Sequence, residues 1–256
     1  MSTYKLGFIS DDVLRAHVAE YVNRYRVSIS KKELNKNILD PIKLCFDREV
    51  YSRDFGEAIR GEIERQIDKS NGTLIGYFHQ HLFSKIGRGW EVPTEGWDIV
   101  NEAKHCYVEL KNKHNTMNSK SAQATYQRMD EAVQLDPSAQ CWLVEVIAKK
   151  SQDEPWATTI KKSKKCHPRI RRVSIDRFYE KVTGETDAFA QICDVLPKVL
   201  ADVMASKHGK SPALQLKDSV AKLLKTFGGN SESQVRTCFL NSFYSYQGFD
   251  RFRTGM

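Results

Sequence analysis

The sequence predicts an α/β or α+β protein in which helices flank a central mixed β-sheet. Three observations support this. Apolar residues recur at helical spacing through the first ninety residues, and strand-like segments joined by short turns follow from Gly89. The mostly apolar run Cys141–Ala148 is typical of a strand covered on both faces. We expect one domain over residues 1–256, with a helical part at 1–88, a sheet core at 89–180 and a second helical part at 181–256.

Two helices are predicted near the N-terminus. Ser10 can cap the first, and Ser30 with Glu33 forms a capping-box pattern before the second. Pro41 is expected to end or bend that second helix. The apolar residues of the two helices are Val13, Leu14, Val18, Tyr21, Val22, Leu34 and Ile38.

Two further helices are predicted before the sheet. The first covers about residues 52–68, and the turn signal Ser70-Asn71-Gly72 separates it from the next. Their apolar residues are Phe55, Ile59 and Ile63 in the first, and Ile75, Phe78 and Phe83 in the second.

Short extended segments follow. Trp90–Val92 and Trp97–Val100 are strand-like, Asn101–Lys104 is a polar turn, and His105–Leu110 is the next strand. A helix is expected to begin within Thr116–Ser121 and to end before Pro137, with an apolar face of Ala122, Thr125, Tyr126, Met129 and Val133.

The rest of the chain is predicted from weaker signals. Cys141–Ala148 is a strand, and Val173–Ile175 is one more short strand. From about Thr186 the chain is predicted to be helical, with breakers at Gly209 and Pro212 and a turn at Gly228-Gly229.

Composition indicates what kind of partner the protein binds and in which cellular compartment it lies. The net charge of +8 favours a polyanionic partner. No stretch approaches the roughly 20 apolar residues that cross a bilayer, and the N-terminus lacks the apolar region of a secretory signal. We therefore expect a cytoplasmic protein whose six widely spaced cysteines are free thiols.

The most informative residues are Asp98, Glu109 and Lys111. Glu109 and Lys111 are two apart in a predicted strand, so they project from the same face. A hairpin between the two strands can bring Asp98 beside Glu109. Adjacent carboxylates repel each other unless a cation lies between them, and Mg²⁺ is commonly held by one or two carboxylates with water and phosphate.

This arrangement suits hydrolysis of a phosphodiester. The metal polarises the phosphoryl oxygen and activates a water, while Lys111 positions that water or neutralises developing charge. The sequence leaves open whether Lys111 is a base or an electrostatic stabiliser. It also leaves open a solvated hairpin in which Glu109 and Lys111 form only a surface ion pair.

The loop after Lys111 favours the nuclease interpretation. It is rich in cationic and amide side chains and contains no acid, as expected beside a phosphate backbone. Its candidate DNA-binding residues are Lys113, His114, Asn115, Asn118 and Lys120.

These residues resemble the PD-(D/E)xK nuclease superfamily, with Asp98 and Glu109 as the two acids and Lys111 as the lysine. Trp97 stands where the superfamily often has proline. More narrowly, Gly-Trp-Asp-Ile at 96–99 and Glu-Leu-Lys-Asn-Lys-His-Asn-Thr-Met-Asn-Ser at 109–119 resemble type II restriction endonucleases that cut GGNCC-type sites. Ile75–Gln80 is similar to the upstream helix of that group, and the resemblance is strongest over residues 52–148.

The resemblance implies a restriction-endonuclease-like fold and sequence-specific, Mg²⁺-dependent cleavage of both strands of DNA. It also implies a homodimer on a palindromic site and a cognate DNA methyltransferase that protects the host DNA. The main-chain carbonyl of Leu110 is implied as a further metal ligand. Glu62 is implied as a supporting catalytic acid, with Glu57 as the competing choice and an ion pair with Arg65 or Lys69 as the alternative role for Glu62.

A basic run, Lys161–Arg172, holds seven Lys and Arg residues and no acid. It is interpreted either as a solvated charge run or as a DNA-facing loop. In the second case Arg169, Arg171 and Arg172 are the candidates for reading base edges.

Four other polar residues have two interpretations each. His79 and Gln80 either contact DNA or are buried in the core, and Gln123 either faces the active centre or lies on a helix surface. For Glu145, in an apolar strand, an ion pair at the strand end is favoured over catalysis.

Two alternatives to a restriction enzyme remain open. One is a repair or junction-resolving nuclease of the same superfamily, which would cut by DNA structure. The other is a non-catalytic basic DNA-binding protein whose acids merely form ion pairs.

Overall fold

The computed structural model describes residues 3–30, 32–33, 39–114, 116–206, 217–218, 221–222, 224–225 and 231–243. At its centre is a five-stranded mixed sheet of order β1-β2-β3-β5-β4. The strands are β1 (Ile99–Asn101), β2 (Cys106–Lys113), β3 (Gln140–Ile147), β4 (Asp153–Ile160) and β5 (Ser163–Ser174). The three inner strands, β2, β3 and β5, are parallel, and the two edge strands are antiparallel to their neighbours.

The described part of the chain also contains helices. They are α1 (Asp11–Arg24), α2 (Pro41–Val50), α3 (Phe55–Ile86), α4 (Ser119–Leu135), α5 (Ile175–Thr183), α6 (Ala188–Ala205) and α7 (Ser231–Phe243). The predicted fold class, a mixed sheet flanked by helices, is confirmed.

The two faces of the sheet have separate cores because side chains alternate along each strand. On one face, Trp142, Val144 and Val173 join a large cluster with residues of α1, α5 and α6 and with the last turns of α3. On the other, Cys141, Leu143 and Ile170 pack against α4 through Tyr126 and Met129. Strand β3 lies between both clusters, which explains its continuous apolar run.

The chain forms two compact units. The first comprises residues 1–24 and 74–207 and contains the whole sheet. The second comprises residues 25–73 and 208–256, and its own core includes Leu44, Phe55, Ile59, Ile63 and Cys238. The prediction of one domain over the full chain stays a prediction.

Several predicted local signals are confirmed. The Ser10 hydroxyl accepts a hydrogen bond from the backbone of Val13 at the start of α1. Ser30 and Glu33 bond reciprocally, as a capping box requires, at 2.9 and 3.3 Å. Leu34 and Ile38, predicted for the helix that follows, lie outside the described residues, as do Gly209, Pro212 and Gly228-Gly229.

Pro41 was expected to end or bend the second helix, whose residues 34–38 lie outside those that the structure describes. Pro41 occupies the first turn of α2, where Asp40 caps the helix by accepting from the backbone of Ile42 and Lys43. A proline is favoured there because its φ suits a helix and its missing N–H would have had no partner in the helix.

The prediction of a turn at Ser70-Asn71-Gly72 is wrong. Helix α3 runs without interruption from Phe55 to Ile86. The Asn71 side chain, which suggested a turn, instead binds the backbone N–H and carbonyl of Arg26 at 2.8 and 3.0 Å. That tertiary contact outweighs the local turn preference.

The largest difference from the predicted strands lies after β3. Of the short strand expected at Val173–Ile175, Val173 and Ser174 end the 12-residue strand β5, whereas Ile175 begins α5. Strand β4 pairs with β5 as a hairpin. The interpretation of Lys161–Arg172 as a loop is therefore wrong. None of the helices described in the structure is long and apolar enough to cross a membrane.

Candidate active site

The hairpin of β1 and β2 brings the predicted acids together. Ile99 pairs with Val108, and the backbone N–H of Asp98 donates to the carbonyl of Val108 at 3.0 Å. The Asp98 carboxylate turns back onto β2 and accepts from the backbone N–H of Leu110 at 2.7 Å. Asp98 therefore lies beside the strand segment that carries Glu109 and Lys111.

The electrostatics of this pair of acids suit a cation. Burial raises the pKa of the Asp98 carboxyl, and the negative charge of Glu109 raises it further, against smaller opposing effects of the Leu110 N–H, Lys111 and Arg128. Bringing these carboxylates together thus costs free energy that a bound divalent cation would recover. Among the described residues no cluster of three or more Asp, Glu, His or Cys side chains occurs. Two carboxylates are enough for Mg²⁺, which keeps much of its water shell.

Two cations bind Glu109 within the protein. Lys111, on the same face of β2, forms an ion pair with one carboxylate oxygen, and Arg128 of α4 forms an ion pair with the other. The Glu109 side chain is only 12% exposed, so both cations neutralise a largely buried charge.

Arg128 is the functional candidate that sequence reasoning missed. Its guanidinium lies 4.2 Å from the centre of the Trp97 ring and donates to the Gly96 carbonyl at 2.9 Å. It thereby connects α4 to the segment just before Asp98. In the sequence, the one indication of its role is that Arg128 adjoins Met129, at the edge of the apolar face predicted for α4.

The loop after Lys111 is tied to the neighbouring strands. The backbone N–H of His114 donates to the Ile147 carbonyl at 3.0 Å, and its own carbonyl accepts from Arg172 at 3.1 Å. Asn118 caps α4 by accepting from the Ser121 N–H at 2.8 Å. Lys113 and Lys120 are exposed, whereas Asn115 lies outside the described residues. The DNA-binding roles of these five residues stay predictions.

The three arginines proposed to read bases have partners inside the protein. Arg169 donates to backbone carbonyls at the C-terminal end of α4, including those of Val133 and Asp136 at 3.0 and 3.1 Å. Arg171 pairs with Asp153, and Arg172 pairs with Glu145. The predicted ion pair of Glu145 is thus confirmed. The contacts of the three arginines give base reading no support, and that role stays a prediction.

Glu62 belongs to the second unit, on α3. Its carboxylate accepts from Arg65 at 2.6 and 2.7 Å and from Gln66 at 2.9 Å. Burial raises its pKa, but these bonds outweigh burial and the net pKa is lowered. The competing acid, Glu57, closes a capping box with Asp54 at the start of α3. The catalytic role of Glu62 stays a prediction.

The remaining polar candidates lie mostly in the interior. His79 and Gln80 are buried, and burial lowers the pKa of His79 to about 4. Gln123 donates from its side chain to the Thr159 carbonyl at 2.9 Å, so it joins α4 to β4.

Comparison with known proteins decides the family. The model of the Eco47II restriction endonuclease family matches residues 6–205, which include the sheet, Asp98, Glu109, Lys111 and Arg128. The chain belongs to the Eco47II restriction endonuclease family.

Two relatives agree with this assignment. The chain is 29% identical over 222 residues to the type II restriction enzyme Sau96I of Staphylococcus aureus. The aligned residues cover 82% of this chain and 85% of the relative. The chain is 27% identical over 231 residues to the type II restriction enzyme Eco47II of Escherichia coli, covering 85% of this chain and 96% of the relative. The type II restriction endonuclease predicted from residues 96–119 is confirmed, and with it a site-specific nuclease.

Proposed function

We propose that this member of the Eco47II family hydrolyses both strands of duplex DNA at a GGNCC-type site with Mg²⁺ as cofactor. The observation that carries the proposal is that the β1–β2 hairpin puts Asp98 beside Glu109. Lys111 forms an ion pair with the Glu109 carboxylate. The site sequence rests on the likeness of residues 109–119 to enzymes of that specificity.

Asp98, Glu109 and the main-chain carbonyl of Leu110 would hold the metal. Mg²⁺ supplies Lewis-acid polarisation of the phosphodiester and an activated water. Lys111, 27% exposed and anchored on Glu109, is placed to orient the attacking water or to offset charge that develops on phosphate. Arg128 binds the other oxygen of the Glu109 carboxylate and so restricts its orientation.

We further propose a homodimer, because a two-fold enzyme matches a two-fold DNA site. A methyltransferase of the same specificity would protect the host DNA. It acts on the same site without needing to bind this chain.

The proposal is tested by incubating unmethylated plasmid of known sequence with the purified protein and Mg²⁺, and by sequencing the ends. Discrete fragments ending at GGNCC-type sites are expected. Cutting that depends on branched or damaged structure would favour the repair or junction-resolving alternative. Binding without any cleavage would favour a non-catalytic DNA-binding protein.

A further inference from the structure

The outer half of the β4–β5 hairpin, residues 157–166, carries a concentrated positive charge, and we call it the distal hairpin. Lys161, Lys162, Lys164 and Lys165 are all exposed. No acidic residue occurs between Glu154 and Asp176. Within the part of the chain that the structure describes, none of the four lysines has an ion-pair partner. This contrasts with Arg169, Arg171 and Arg172 at the base of the same hairpin.

A large bulge separates the distal hairpin from the sheet. Pro155 pairs with Arg171, but Ala157 pairs with Cys166, so one residue of β4 stands opposite four residues of β5. Extra residues on one strand bend a hairpin and increase its twist. The base of the hairpin belongs to the sheet, and the distal half can leave the sheet plane.

Contacts with α4 give the direction in which the hairpin bends. Arg169 binds carbonyls at the C-terminal end of α4, near Val133. Trp156 packs on Tyr126 in the middle of the helix, with ring centres 5.4 Å apart. Thr159 accepts from Gln123, close to the N-terminal end. The hairpin therefore runs along α4 from its C-terminal to its N-terminal end.

This path directs the tip toward the end of α4 at which the predicted DNA-binding loop lies. Lys161 and Lys162 come directly after Ile160, one residue beyond the contact with Gln123. Helix α4 begins at Ser119, immediately after the loop that follows β2, and Lys120 is exposed in its first turn. The lysines of the tip and the cations of that loop thus lie at the same end of α4.

The turn itself is costly for the residues it contains. Lys161 and Lys162 have φ of 47° and 67°. Two positive φ values define the two-residue turn that favours Asn-Gly, because L side chains other than Asn and Asp are strained there. Lysine at both positions weakens the turn but puts two charges at its tip.

We propose that the distal hairpin is a phosphate-binding arm for duplex DNA, which extends the DNA-binding surface of the loop after β2. This inference rests on the proposed function, because it assumes that DNA is the bound polyanion. Duplex DNA carries about one negative charge per 1.7 Å of its axis, and unpaired lysines recruit it by releasing counterions. Contacts of this kind hold DNA in place without selecting its sequence.

The test is the double variant Lys161→Asn/Lys162→Gly, which removes both charges and supplies the residues that the turn prefers. Binding is measured by anisotropy of a short fluorescent GGNCC duplex in Ca²⁺, from about 50 to about 200 mM salt. We expect a melting temperature equal to or above that of the wild type and roughly tenfold weaker binding. We also expect the slope of log affinity against log salt to be smaller in magnitude by about 1.8.

The matched control is Lys104→Asn/Lys198→Asn, which removes two exposed charges elsewhere in the first unit. Lys104 precedes β2, at the opposite end of that strand from Lys113. The control should bind within about threefold of the wild type, since distant charges are screened. Equal losses of DNA affinity in both variants, or an unchanged salt slope in the Lys161→Asn/Lys162→Gly variant, would show that the distal hairpin is not a phosphate-binding arm. A wild type that neither binds nor cuts DNA would instead overturn the proposed function itself.

Discussion

At the scale of single residues, the candidate site is a balanced set of charges. Two acids, Asp98 and Glu109, lie with two cations, Lys111 and Arg128. A divalent cation entering this set would meet Arg128 already bound to Glu109, one of its proposed ligands. The cation and the guanidinium therefore compete for the same carboxylate.

That competition predicts the effect of Arg128→Gln. Without metal, the variant should lose about 1 kcal/mol of unfolding free energy, a small loss because the arginine is 39% exposed. It should bind Mn²⁺ about fivefold more tightly, as removal of about 1 kcal/mol of competition implies. Urea unfolding in chelator and Mn²⁺ titration without DNA measure the two effects. The control Arg177→Gln removes a surface pair with Glu180 and should change neither. Unaltered or weaker Mn²⁺ binding by Arg128→Gln would contradict the competition.

His79 predicts a loss of stability in mild acid. Its folded pKa of about 4 lies below the usual 6.5, so the unfolded chain binds the proton first as pH falls. Its contribution is complete above about pH 6.5 and is lost as pH falls from there toward 4. Between pH 7 and pH 5 the wild type should lose about 2 kcal/mol through this group. The unfolding free energy, measured with urea at both pH values, should depend less on pH in His79→Gln than in the wild type. An identical pH dependence would mean that His79 does not titrate in this way.

Spacing predicted that Glu109 and Lys111 share a face of the strand and that a hairpin brings Asp98 beside them. The acid-free loop after Lys111 and the family resemblance were needed to favour a nuclease site over a surface ion pair. Arg128 could not be predicted with equal force. It reaches Glu109 from a helix that crosses the sheet face, and its position relative to β2 depends on packing that no local pattern encodes.

At the scale of secondary-structure elements, the two main errors have a common cause. Asn71 and Gly72 are turn formers by local preference, yet they lie inside a helix. Residues 161–172 were interpreted as a charge run or a loop, yet Ser163–Ser174 is a strand that follows a tight turn at Lys161 and Lys162. In both places tertiary contacts, with Arg26 in the first and with α4 in the second, outweigh local propensity.

The continuity of α3 predicts a stabilising substitution. Added methyl groups at Gly72 meet nothing within 4 Å. Gly72→Ala should therefore raise the unfolding free energy by about 0.5–1 kcal/mol, since alanine restricts the unfolded chain and favours the helix. The matched control is Gly184→Ala, because Gly184 ends α5 with φ of 79° and should cost about 1 kcal/mol. Thermal and urea unfolding compare the two. Destabilisation by Gly72→Ala would show that the helix is broken there.

At the scale of the whole molecule, the sequence predicted a mixed sheet flanked by helices, but it did not predict every strand or every pairing. Strand β3 was predicted to within one residue at each end, since burial on both faces leaves a mostly apolar run. Strand β2 runs three residues beyond its predicted end at Leu110, because its last residues are polar. The pairing of β4 with β5 was not predicted, because the polar and basic residues of this hairpin lack strict alternation. Family membership covers residues 6–205 and so includes every strand of this sheet.

We propose that Asp98, with Glu109 and Lys111, forms the metal-dependent cutting centre. The decisive measurement is the single-turnover cleavage rate of Asp98→Asn in Mg²⁺, beside wild type and the helix-surface control Asp130→Asn. Asparagine keeps the size of Asp98 and an acceptor for the Leu110 N–H. We predict at least about a hundredfold slower cleavage by Asp98→Asn with DNA binding retained, and a control rate like wild type. Cleavage by Asp98→Asn within about tenfold of the wild type would show that Asp98 is not part of the cutting centre.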